Sequence, residues 1–424
     1  MTINMSNTTK KDSKSTPVYI HGCGFHSALG KNAEEIHSRL QQGASPDMLP
    51  VTGWLNDGSD TVVGKIHDPL PAVPARCQQQ DTFNNRLALS ALQQITAPIE
   101  QAINQYGKER LAVIIGTSTS GISDGEQALS QQMNNGTFPA DYHYYQQEIG
   151  NPAEFVADYF GLEGPTYTIS TACSSSGRVF LTAKRLLKMG IVDAVIVGGV
   201  DSLCQLTLNG FHGLDALSNT LCNPFSKNRN GINIGEAAAF MLLALTPAPD
   251  ALHPNQADSS KSSAKQQIAL LGVGDSSDAH HISAPHPEGN GAEEAMRKAL
   301  DDAGLAPEDI GYINAHGTAT PLNDAMEAKA IHRVFGAKTP VSSTKPFTGH
   351  TLGAASAVEA AICWHILHYS IDLPSQINDG KIADSLAPIT FVEPNTKLVQ
   401  PAILSNSFAF GGNNISLIFG YTHD

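Results

Sequence analysis

The sequence predicts an α/β protein built from two similar mixed α/β halves, and three observations support this fold class. Short, wholly apolar strands such as Leu111–Ile115 are typical of parallel sheets that helices cover on both faces. A strand, turn, helix and strand then follow one another over residues 167–197. The strand pattern of the first half recurs in the second half, which indicates a duplicated fold.

The first half is predicted to begin at Pro17, because residues 1–16 are polar and are expected to form a flexible tail. One amphipathic helix is predicted from Phe83 to Ile95, ending before Pro98, and another from Ser174 to Lys188. Further strands are predicted at Val18–Ile20, Tyr167–Ile169, Ala194–Val197 and Phe240–Leu245.

A segment rich in Ser, Asp, Pro and Lys, residues 251–267, is predicted to be a surface excursion that separates the halves. The halves are therefore expected to span residues 17–260 and 261–424. The second half repeats the strands of the first with predicted strands at Ile268–Leu271, Ile310–Asn314, Val341–Thr344, Ala402–Leu404 and Ile415–Ile418.

The composition excludes several classes of function. The chain has 26 basic and 40 acidic residues, a formal charge of −14, so nucleic acid and anionic membranes are poor partners. No apolar run approaches the ~20 residues that cross a bilayer. The six cysteines lie far apart and without zinc-site spacing, which predicts free thiols, no metal and a cytoplasmic location.

One cysteine stands between a predicted strand and a predicted helix. Cys173 is followed by three serines and Gly177. A cysteine at a helix N-terminus faces unpaired backbone N–H groups and the positive end of the helix dipole. Both favour the thiolate and predict a pKa below the free value of ~8.5. On this segment alone, a reactive cysteine and a buried structural cysteine are equally good interpretations.

Two histidines lie beside glycines at predicted strand ends, where catalytic groups of α/β proteins collect. His316 stands in Asn314–Asp324, and His350 stands in Lys345–Glu359 before a helix of small residues. Two neutral imidazoles can donate N–H groups to one oxygen, which suits conversion of a thioester carbonyl into an enolate. The chain has 16 histidines, so either of these two, taken alone, is better interpreted as a surface residue with no role in catalysis. Two glycine-flanked histidines together with Cys173 instead favour a catalytic set.

Four segments, in this order, resemble the signature segments of the elongating β-ketoacyl-(acyl carrier protein) synthases. The segments are Thr171-Ala-Cys173, His316-Gly-Thr-Ala-Thr-Pro321, Lys345 with Thr348-Gly-His350, and Asn406-Ser-Phe-Ala-Phe-Gly-Gly-Asn413. The resemblance extends from Pro17 to the end of the chain. It implies a thiolase-like fold whose two duplicated halves form layers in the order α-β-α-β-α.

The resemblance also implies a role for each matching residue. Cys173 would accept the acyl group, and His316 and His350 would bind the malonyl thioester oxygen and promote loss of carbon dioxide. Lys345 would orient the site, with Glu327 as its ion-pair partner. The N–H groups of Cys173 and Phe410 would form the oxyanion hole, and Phe410 would also be the gate. Thr318, Thr320 and Phe408 would contact the substrate, and Thr119 would line the acyl pocket. No cofactor is implied, because the phosphopantetheine arm arrives on the carrier protein.

The implied reaction is the decarboxylative condensation of a 3-oxoacyl-carrier-protein synthase, which extends a fatty-acid, polyketide or polyene chain by two carbons. A thiolase or an initiating synthase that uses coenzyme A thioesters would replace His350 with Cys or Asn. A non-catalytic chain-length subunit would lack the nucleophile, whereas Cys173 is present. A purely binding or scaffolding protein would not need the intact set of one cysteine and two histidines.

The chain departs from the usual family pattern at a few positions. Ala409 stands in the gating segment where glycine is usual, Gly235-Glu236-Ala237 replaces Gly-Glu-Gly, and Asn223–Gly231 lacks the expected aspartates and leading arginine. These departures argue against the housekeeping fatty-acid branch. Asp81–Leu89 and Gly116–Gly121 resemble the synthases of bacterial aryl-polyene clusters.

The resemblance implies two kinds of partner, an acyl carrier protein and a second subunit. The second subunit is either a copy of the chain or a related synthase or chain-length subunit. Carrier proteins are acidic, so a basic docking site is expected. Residues 133–145 hold no Lys or Arg, and the nearest basic candidates are Arg76 and Arg86. Because Thr119 is small and polar, the acyl pocket is expected to admit a deep, conjugated or oxygenated chain.

Overall fold

The computed structural model describes residues 17–248 and 267–422. The predicted tail at residues 1–16 lies outside the described residues, and so does nearly all of the predicted excursion between the halves, because residues 249–266 are not described. The division at residue 260 therefore stays a prediction.

The described residues form fourteen strands and eleven helices. The strands are β1 Val18–Ser27, β2 Met48–Val51, β3 Thr61–Gly64, β4 Leu111–Gly116, β5 Thr166–Ile169, β6 Ala194–Asp201, β7 Ile234–Gly235, β8 Ala237–Ala244, β9 Ile268–Ser277, β10 Ile310–Asn314, β11 Pro340–Ser342, β12 Thr390–Phe391, β13 Ala402–Phe408 and β14 Asn413–Tyr421. The helices are α1 Ala33–Gln42, α2 Phe83–Leu92, α3 Thr96–Tyr106, α4 Ile122–Asn135, α5 Asn151–Phe160, α6 Ser175–Lys188, α7 Gln205–His212, α8 Asn290–Ala303, α9 Pro321–Phe335, α10 Lys345–Thr348 and α11 Ala355–Tyr369.

The main sheet repeats one strand arrangement twice. Its first half has the order β1-β8-β6-β4-β5, and its second half has the order β9-β14-β13-β10-β11, extended by β12. In each half the first three strands are antiparallel neighbours, and the last two pairings are parallel. The halves meet where β1 pairs with β9. The matching order confirms the predicted duplication. A separate small sheet contains β2, β3 and β7.

The helices form three layers around the two halves of the sheet. Helices α6 and α11 pack against each other and against strands of both halves, so they form the central layer. Helices α2, α3 and α5 cover the outer face of the first half. Helices α8 and α9 cover the outer face of the second half. This arrangement confirms the predicted α-β-α-β-α layers of a thiolase-like fold.

Small residues allow the two central helices to approach closely. A Cβ atom on Gly177 of α6 would lie 2.7 Å from the Oγ of Ser356 of α11, so a larger residue would push the helices apart. Ser356 and its neighbours from Ala355 to Ala361 are almost all small as well. The N-termini of α6 and α11 therefore lie side by side in the middle of the molecule, where they place the candidate site.

One predicted helix ends earlier than expected. The segment Phe83–Ile95 is helical to Leu92, continues as a 3₁₀ turn, and is followed directly by α3. Pro98 does not end a helix but lies in the first turn of α3, where its missing N–H group has no helical partner to lose. Among the described helices, none is long and apolar enough to cross a membrane.

Candidate active site

The turn between β5 and α6 presents Cys173 to the interior. Ala172 adopts a left-handed conformation with φ of 53°, which turns the chain sharply just before Cys173. The side chain of Ser175 fixes this turn, because its hydroxyl accepts from the N–H of Thr171 and donates to the carbonyl of Ala172, at 2.8 and 2.5 Å. Cys173 thus precedes the first turn of α6, as the sequence predicts.

The environment of Cys173 raises the pKa of its thiol instead of lowering it. The residue is 5% exposed, and burial raises the pKa to about 11, while the charge of Lys345 and the N–H of Phe410 act in the opposite direction. The predicted low pKa is therefore wrong, because loss of water around the thiol outweighs the effect of the helix N-terminus. The resting thiol is neutral at pH 7.

His350 holds its ring against the sulfur of Cys173. Its Nε2 lies 3.1 Å from the Sγ of Cys173. Its Nδ1 accepts the backbone N–H of Leu352 at 3.2 Å, so a neutral ring carries its proton on Nε2. The backbone N–H of His350 donates to the carbonyl of Asn233 at 2.6 Å. Backbone contacts on both sides therefore aim an N–H donor at the sulfur and into the site.

His316 has the same protonation for a different reason. Lys345 places its Nζ 3.4 Å from the Nδ1 of His316. An ammonium group only donates, so Nδ1 accepts and the proton of the neutral ring lies on Nε2. The rings of His316 and His350 are almost perpendicular, with centroids 5.4 Å apart. Burial and the charge of Lys345 hold the pKa of both histidines well below 6.5, so both are neutral donors at pH 7.

The ion-pair partner of Lys345 is Glu359, so the predicted pair with Glu327 is wrong. The Nζ of Lys345 lies 2.5 Å from Oε1 of Glu359, and both side chains are buried. Glu327 instead accepts the backbone N–H groups of His316 and Gly317 at 2.8 and 2.7 Å. Glu327 lies on α9, which starts directly after the loop that carries His316, so its carboxylate contacts that loop and not Lys345. Burial raises the pKa of Glu327 to about 7.

The role of Glu359 as the partner of Lys345 was not predicted, although the sequence contains an indication of it. Glu359 is the one acidic residue in α11, a helix of mostly small and apolar residues that the rest of the protein buries. A buried carboxylate needs a cation or several donors, because burial of an unpaired charge is very costly. The lone glutamate in this helix therefore predicts a buried cation, and Lys345 is the cation that meets it.

A cavity of about 290 Å³ joins these groups. Of the predicted site residues, it is lined by Cys173, His316, Thr318, Thr320, His350, Phe408 and Phe410. The hydroxyls of Thr318 and Thr320 lie 2.9 Å apart and form a polar strip in a largely apolar wall. Phe408 lies edge-on to His316, with centroids 6.2 Å apart. The structure thus brings together all the predicted residues except Glu327, Lys345 and Thr119, of which Lys345 lies behind His316.

Phe410 lies between the cavity and the turn after β13. Its ring packs on Phe211 of α7, with centroids 5.7 Å apart. Two glycines with positive φ, Gly411 and Gly412, follow it and form the turn into β14. Ala409, the departure from the family pattern, does not have a positive φ. Its Cβ therefore causes no left-handed strain in this conformation.

Thr119 does not line this cavity, because a buried carboxylate binds it. Its hydroxyl donates to Oδ1 of Asp201 at 2.8 Å and accepts the N–H of Ser202 at 3.1 Å. Asp201 also accepts N–H groups of Ser118 and Ala354, at 2.8 and 2.9 Å. The hydroxyl hydrogen of Thr119 is therefore not available to an acyl chain in this structure. Sequence reasoning missed Asp201, which binds the 117–119 loop to the start of α11.

The same cluster has the geometry of a metal site. One ligand atom from each of Cys173, His316 and His350 lies within 4.8 Å of the others. Sulfur and imidazole nitrogen are ligands that zinc prefers. An ion there would occupy the atoms that a thioester needs, so the expectation of no resident metal stays a prediction.

Two family models match the chain. The N-terminal domain model of the β-ketoacyl synthases matches residues 15–248, and the C-terminal domain model matches residues 268–378. A 3-oxoacyl-[acyl-carrier-protein] synthase 2 of Staphylococcus aureus is 33% identical over 373 residues, which cover 84% of this chain and 87% of that protein. The synthase of the same name from Coxiella burnetii is 30% identical over 423 residues, with coverages of 96% and 99%.

Solved structures of ketosynthases have the same fold. A chain in the complex of the ketosynthase ApeO with its chain length factor ApeC from Xenorhabdus doucetiae is 46% identical, with a TM-score of 0.89 and coverages of 98% and 100%. The ishigamide ketosynthase/chain length factor is 27% identical, with a TM-score of 0.80 and coverages of 97% and 100%. With these matches and its cluster of one cysteine and two histidines, the chain belongs to the β-ketoacyl synthase family and is a 3-oxoacyl-carrier-protein synthase, an acyltransferase of the condensing class.

Proposed function

We propose that Cys173, His316 and His350 carry out the whole condensation, and that the growing chain is a polyene. The observation that carries the proposal is the convergence of a buried thiol and two Nε2–H donors on one cavity. A neutral histidine pair of this kind stabilises charge that develops on a thioester oxygen. A thiolase-type pair of histidine and cysteine would not supply two such donors.

The first step transfers the acyl group from carrier protein to enzyme. The sulfur of Cys173 attacks the thioester carbonyl, its proton passes to the departing pantetheine sulfur, and a new thioester forms on Cys173. Removal of the proton from the buried thiol is helped by the Nε2–H of His350 and the N–H of Phe410, because both stabilise the developing thiolate. Lys345, held by Glu359, adds a positive charge behind the site.

The second step uses the histidines. The malonyl thioester oxygen accepts the Nε2–H groups of His316 and His350, carbon dioxide leaves, and the electron pair of the broken bond forms an enolate. The enolate carbon attacks the acyl carbonyl on Cys173, and the N–H groups of Cys173 and Phe410 bind the resulting oxyanion. Collapse of this intermediate releases the Cys173 thiolate, which takes up a proton, and the 3-oxoacyl chain remains on the carrier protein.

We also propose an acyl carrier protein and a second, related subunit as partners. Large exposed apolar side chains gather on α4 and the segment after it, and surfaces of this kind mark protein interfaces. They are Leu129, Met133, Phe138 and Tyr144, of which Met133 is 79% exposed. The solved relatives above are ketosynthases studied with chain length factors, which supports a heterodimer for this chain.

The polyene pathway is the most specific part of this proposal. The chain is 46% identical to a chain of the ApeO–ApeC complex and about a third identical to the curated 3-oxoacyl-[acyl-carrier-protein] synthase 2 relatives, which favours a pathway that uses a chain length factor. The resemblance of Asp81–Leu89 and Gly116–Gly121 to aryl-polyene synthases points the same way. We place the reaction in the cytoplasm, where carrier-protein substrates are made.

Acyl transfer to Cys173 tests the proposal directly. The chain is incubated with saturated and with polyene acyl-carrier proteins, alone and with its co-purified partner, and intact-mass spectrometry detects the adduct. We expect an adduct on Cys173, absent from Cys173→Ala and present in Cys204→Ala, and a preference for the polyene substrate in the presence of the partner. Normal acylation of Cys173→Ala would end the assignment, and full activity alone with saturated chains preferred would end the polyene and heterodimer proposal.

A further inference from the structure

The two basic residues that the sequence offered for carrier-protein docking are already bound within the chain. The Nε and Nη2 atoms of Arg86 contact the carboxylate of Asp81 at 2.5 and 2.6 Å. Arg76 donates to the carbonyl of Tyr159 and lies over its ring. Arg86 is therefore neutralised by Asp81, whereas Arg76 has only one of its donors occupied, so these two residues do not by themselves form a cluster of unpaired cations.

Along α8 and α9, the cations are neutralised. Arg333 and Arg297 both pair with Glu293. Lys329 pairs with Glu288. These pairs leave little positive potential along these two helices.

Beside the start of α9, at the cavity mouth, a group of cations keeps free donors. We define this mouth patch as Lys227, Arg229 and Lys381 with the apolar side chains of Leu322 and Ile382. The N–H of Lys227 donates to the carbonyl of Lys381 at 2.8 Å, so the two lysines lie on adjacent segments. Within residues 17–248 and 267–422, neither lysine side chain forms an ion pair within 4 Å.

Arg229 connects the patch to the cavity wall. Its guanidinium donates to the carbonyl of Pro321 at 3.1 Å and to that of Ser226 at 2.8 Å, while its Nε has no partner. Pro321 and Leu322 line the cavity, next to the hydroxyl of Thr320. Leu322 is 61% exposed and Ile382 is 40% exposed. A protein bound here would contact both charge and apolar surface at the cavity mouth.

One acidic residue next to the patch offsets part of its charge. Asp379 accepts from Ser226 and Asn228 at 2.7 and 2.6 Å and from the backbone N–H of Lys381 at 3.2 Å. These contacts hold the pKa of Asp379 below the usual range, so its carboxylate is ionised and reduces the charge of Lys381, while Lys227 and Arg229 keep the patch positive. Asp384 is exposed three residues after Lys381, Asp324 is buried and accepts the backbone N–H of Phe225, and Asp215 lines the cavity. Ser226 and Asn230 are uncharged at the two positions where aspartates were expected. Lys227 and Arg229 therefore have no acidic neighbour within their own segment.

We infer that the mouth patch is the docking surface for an acidic acyl carrier protein, a proposal that rests on the proposed function. The chain carries −14 overall, so an acidic partner is repelled from most of its surface. A cationic patch on one side of the mouth therefore both attracts such a partner and fixes where it binds. The apolar side chains of Leu322 and Ile382 add contact area where the pantetheine arm enters.

The test compares a carrier-protein substrate with a small one. Lys227→Glu, Lys381→Glu and the double variant are assayed for decarboxylation of malonyl-carrier protein and of malonyl-N-acetylcysteamine. We expect the double variant to raise the KM for the carrier substrate by about tenfold, with kcat and the small-thioester kinetics unchanged. Binding of the carrier protein to the wild type should weaken between 50 and 200 mM salt, and the double variant should lose most of this dependence.

Lys338→Glu is the matched control, because it changes the net charge equally on an exposed lysine. It follows α9, whose 15 residues begin at the cavity wall, and a helix of that length places it about 20 Å from the mouth. A carrier KM of the double variant within twofold of the wild type, or an equal rise in Lys338→Glu, overturns the patch. An equal loss with the small thioester also overturns it. Wild-type protein that turns over neither substrate instead refutes the proposed function.

Discussion

The two halves of the molecule build the same turn and place different chemistry on it. In the first half, β5 leads through Ala172, with φ of 53°, to Cys173 and then α6. In the second half, β11 is followed by the short helix α10, and Gly349, with φ of 70°, then leads to His350 and α11. Because α6 and α11 pack side by side, the two turns face each other. One copy provides the proposed nucleophile, and the other provides a donor 3.1 Å from it.

The loops after the central parallel strands show the same relation. The loop after β4 holds Thr119, and the loop after β10 holds His316. A buried carboxylate binds the backbone of each loop: Asp201 accepts N–H groups in the first, and Glu327 accepts N–H groups in the second. The first loop is thus fixed without a catalytic side chain, whereas the second presents one. A duplicated scaffold supplies positions, and single residues at those positions decide the chemistry.

The largest expected effect is that of Cys173→Ala on condensation, and it tests whether the two turns have separate roles. Cys173→Ala removes the acyl acceptor, so condensation should fall by at least about 10⁴-fold. Decarboxylation of malonyl-carrier protein should continue, because both histidines remain. Product analysis by mass spectrometry and release of labelled carbon dioxide measure the two steps. Loss of both activities together in a folded variant would show that the halves do not divide the reaction.

The next prediction concerns the buried charges of the second half. Glu359→Gln leaves the ammonium of Lys345 without its partner, so the free energy of unfolding should fall by about 3–5 kcal/mol. Glu327→Gln should cost about 1–3 kcal/mol, because it weakens acceptance of two backbone N–H groups and breaks no ion pair. Urea unfolding measures both. A larger loss in Glu327→Gln would restore the pairing that the sequence predicted.

Removal of either histidine should have the opposite effect to Cys173→Ala, because decarboxylation should be lost while the acyl acceptor remains. His316→Ala and His350→Ala should each lower the rate of malonyl decarboxylation by about 10²–10³-fold, because one donor to the enolate oxygen is lost. Acylation of Cys173 should fall far less in His316→Ala, whose ring does not contact the sulfur. His332→Ala, a change on the far part of α9, is the control. Wild-type release of carbon dioxide by His350→Ala would contradict its role.

A pH dependence of stability should be shared by the two halves. Burial raises the pKa of Glu236 in the first half and of Glu327 in the second half from 4.5 to about 7. The folded state then binds more protons than the unfolded state between these values, so stability is greatest at low pH within this window and falls as pH rises through 7. Each group contributes on the order of 3 kcal/mol. Denaturation of Glu236→Gln from pH 5 to 8 should show a shallower slope, and an unchanged slope would refute the assignment.

The smallest expected effect tests Thr119. Thr119→Val keeps the shape but removes the hydroxyl that donates to Asp201, so the free energy of unfolding should fall by about 1–2 kcal/mol. The preference among acyl chains should not change if the hydroxyl serves only Asp201. Competition between saturated and polyene acyl-carrier substrates measures this. A shift in preference without loss of stability would return Thr119 to the acyl pocket.

The sequence by itself determined the duplicated fold and the proposed catalytic set. Wholly apolar strands indicate a sheet that helices cover on both faces, and the recurrence of these strands in the second half indicates that the fold is duplicated. Cys173, His316 and His350 were recognised as a set, because the segments that carry them resemble the family's signature segments in the same order, although the local setting of each residue alone left a structural interpretation open. Signature segments consist of neighbours in the chain, so they can be read without a structure.

Only the tertiary structure decided which carboxylate meets Lys345, where Thr119 donates, and how burial shifts the thiol pKa. Each of these depends on groups that lie far apart in sequence, such as Thr119 with Asp201 or Lys345 with Cys173. Chain position gives no distance between such groups, and electrostatic effects in a dry interior change steeply with distance. The sequence therefore named the proposed catalytic residues, whereas packing of the two halves fixed their partners and protonation states.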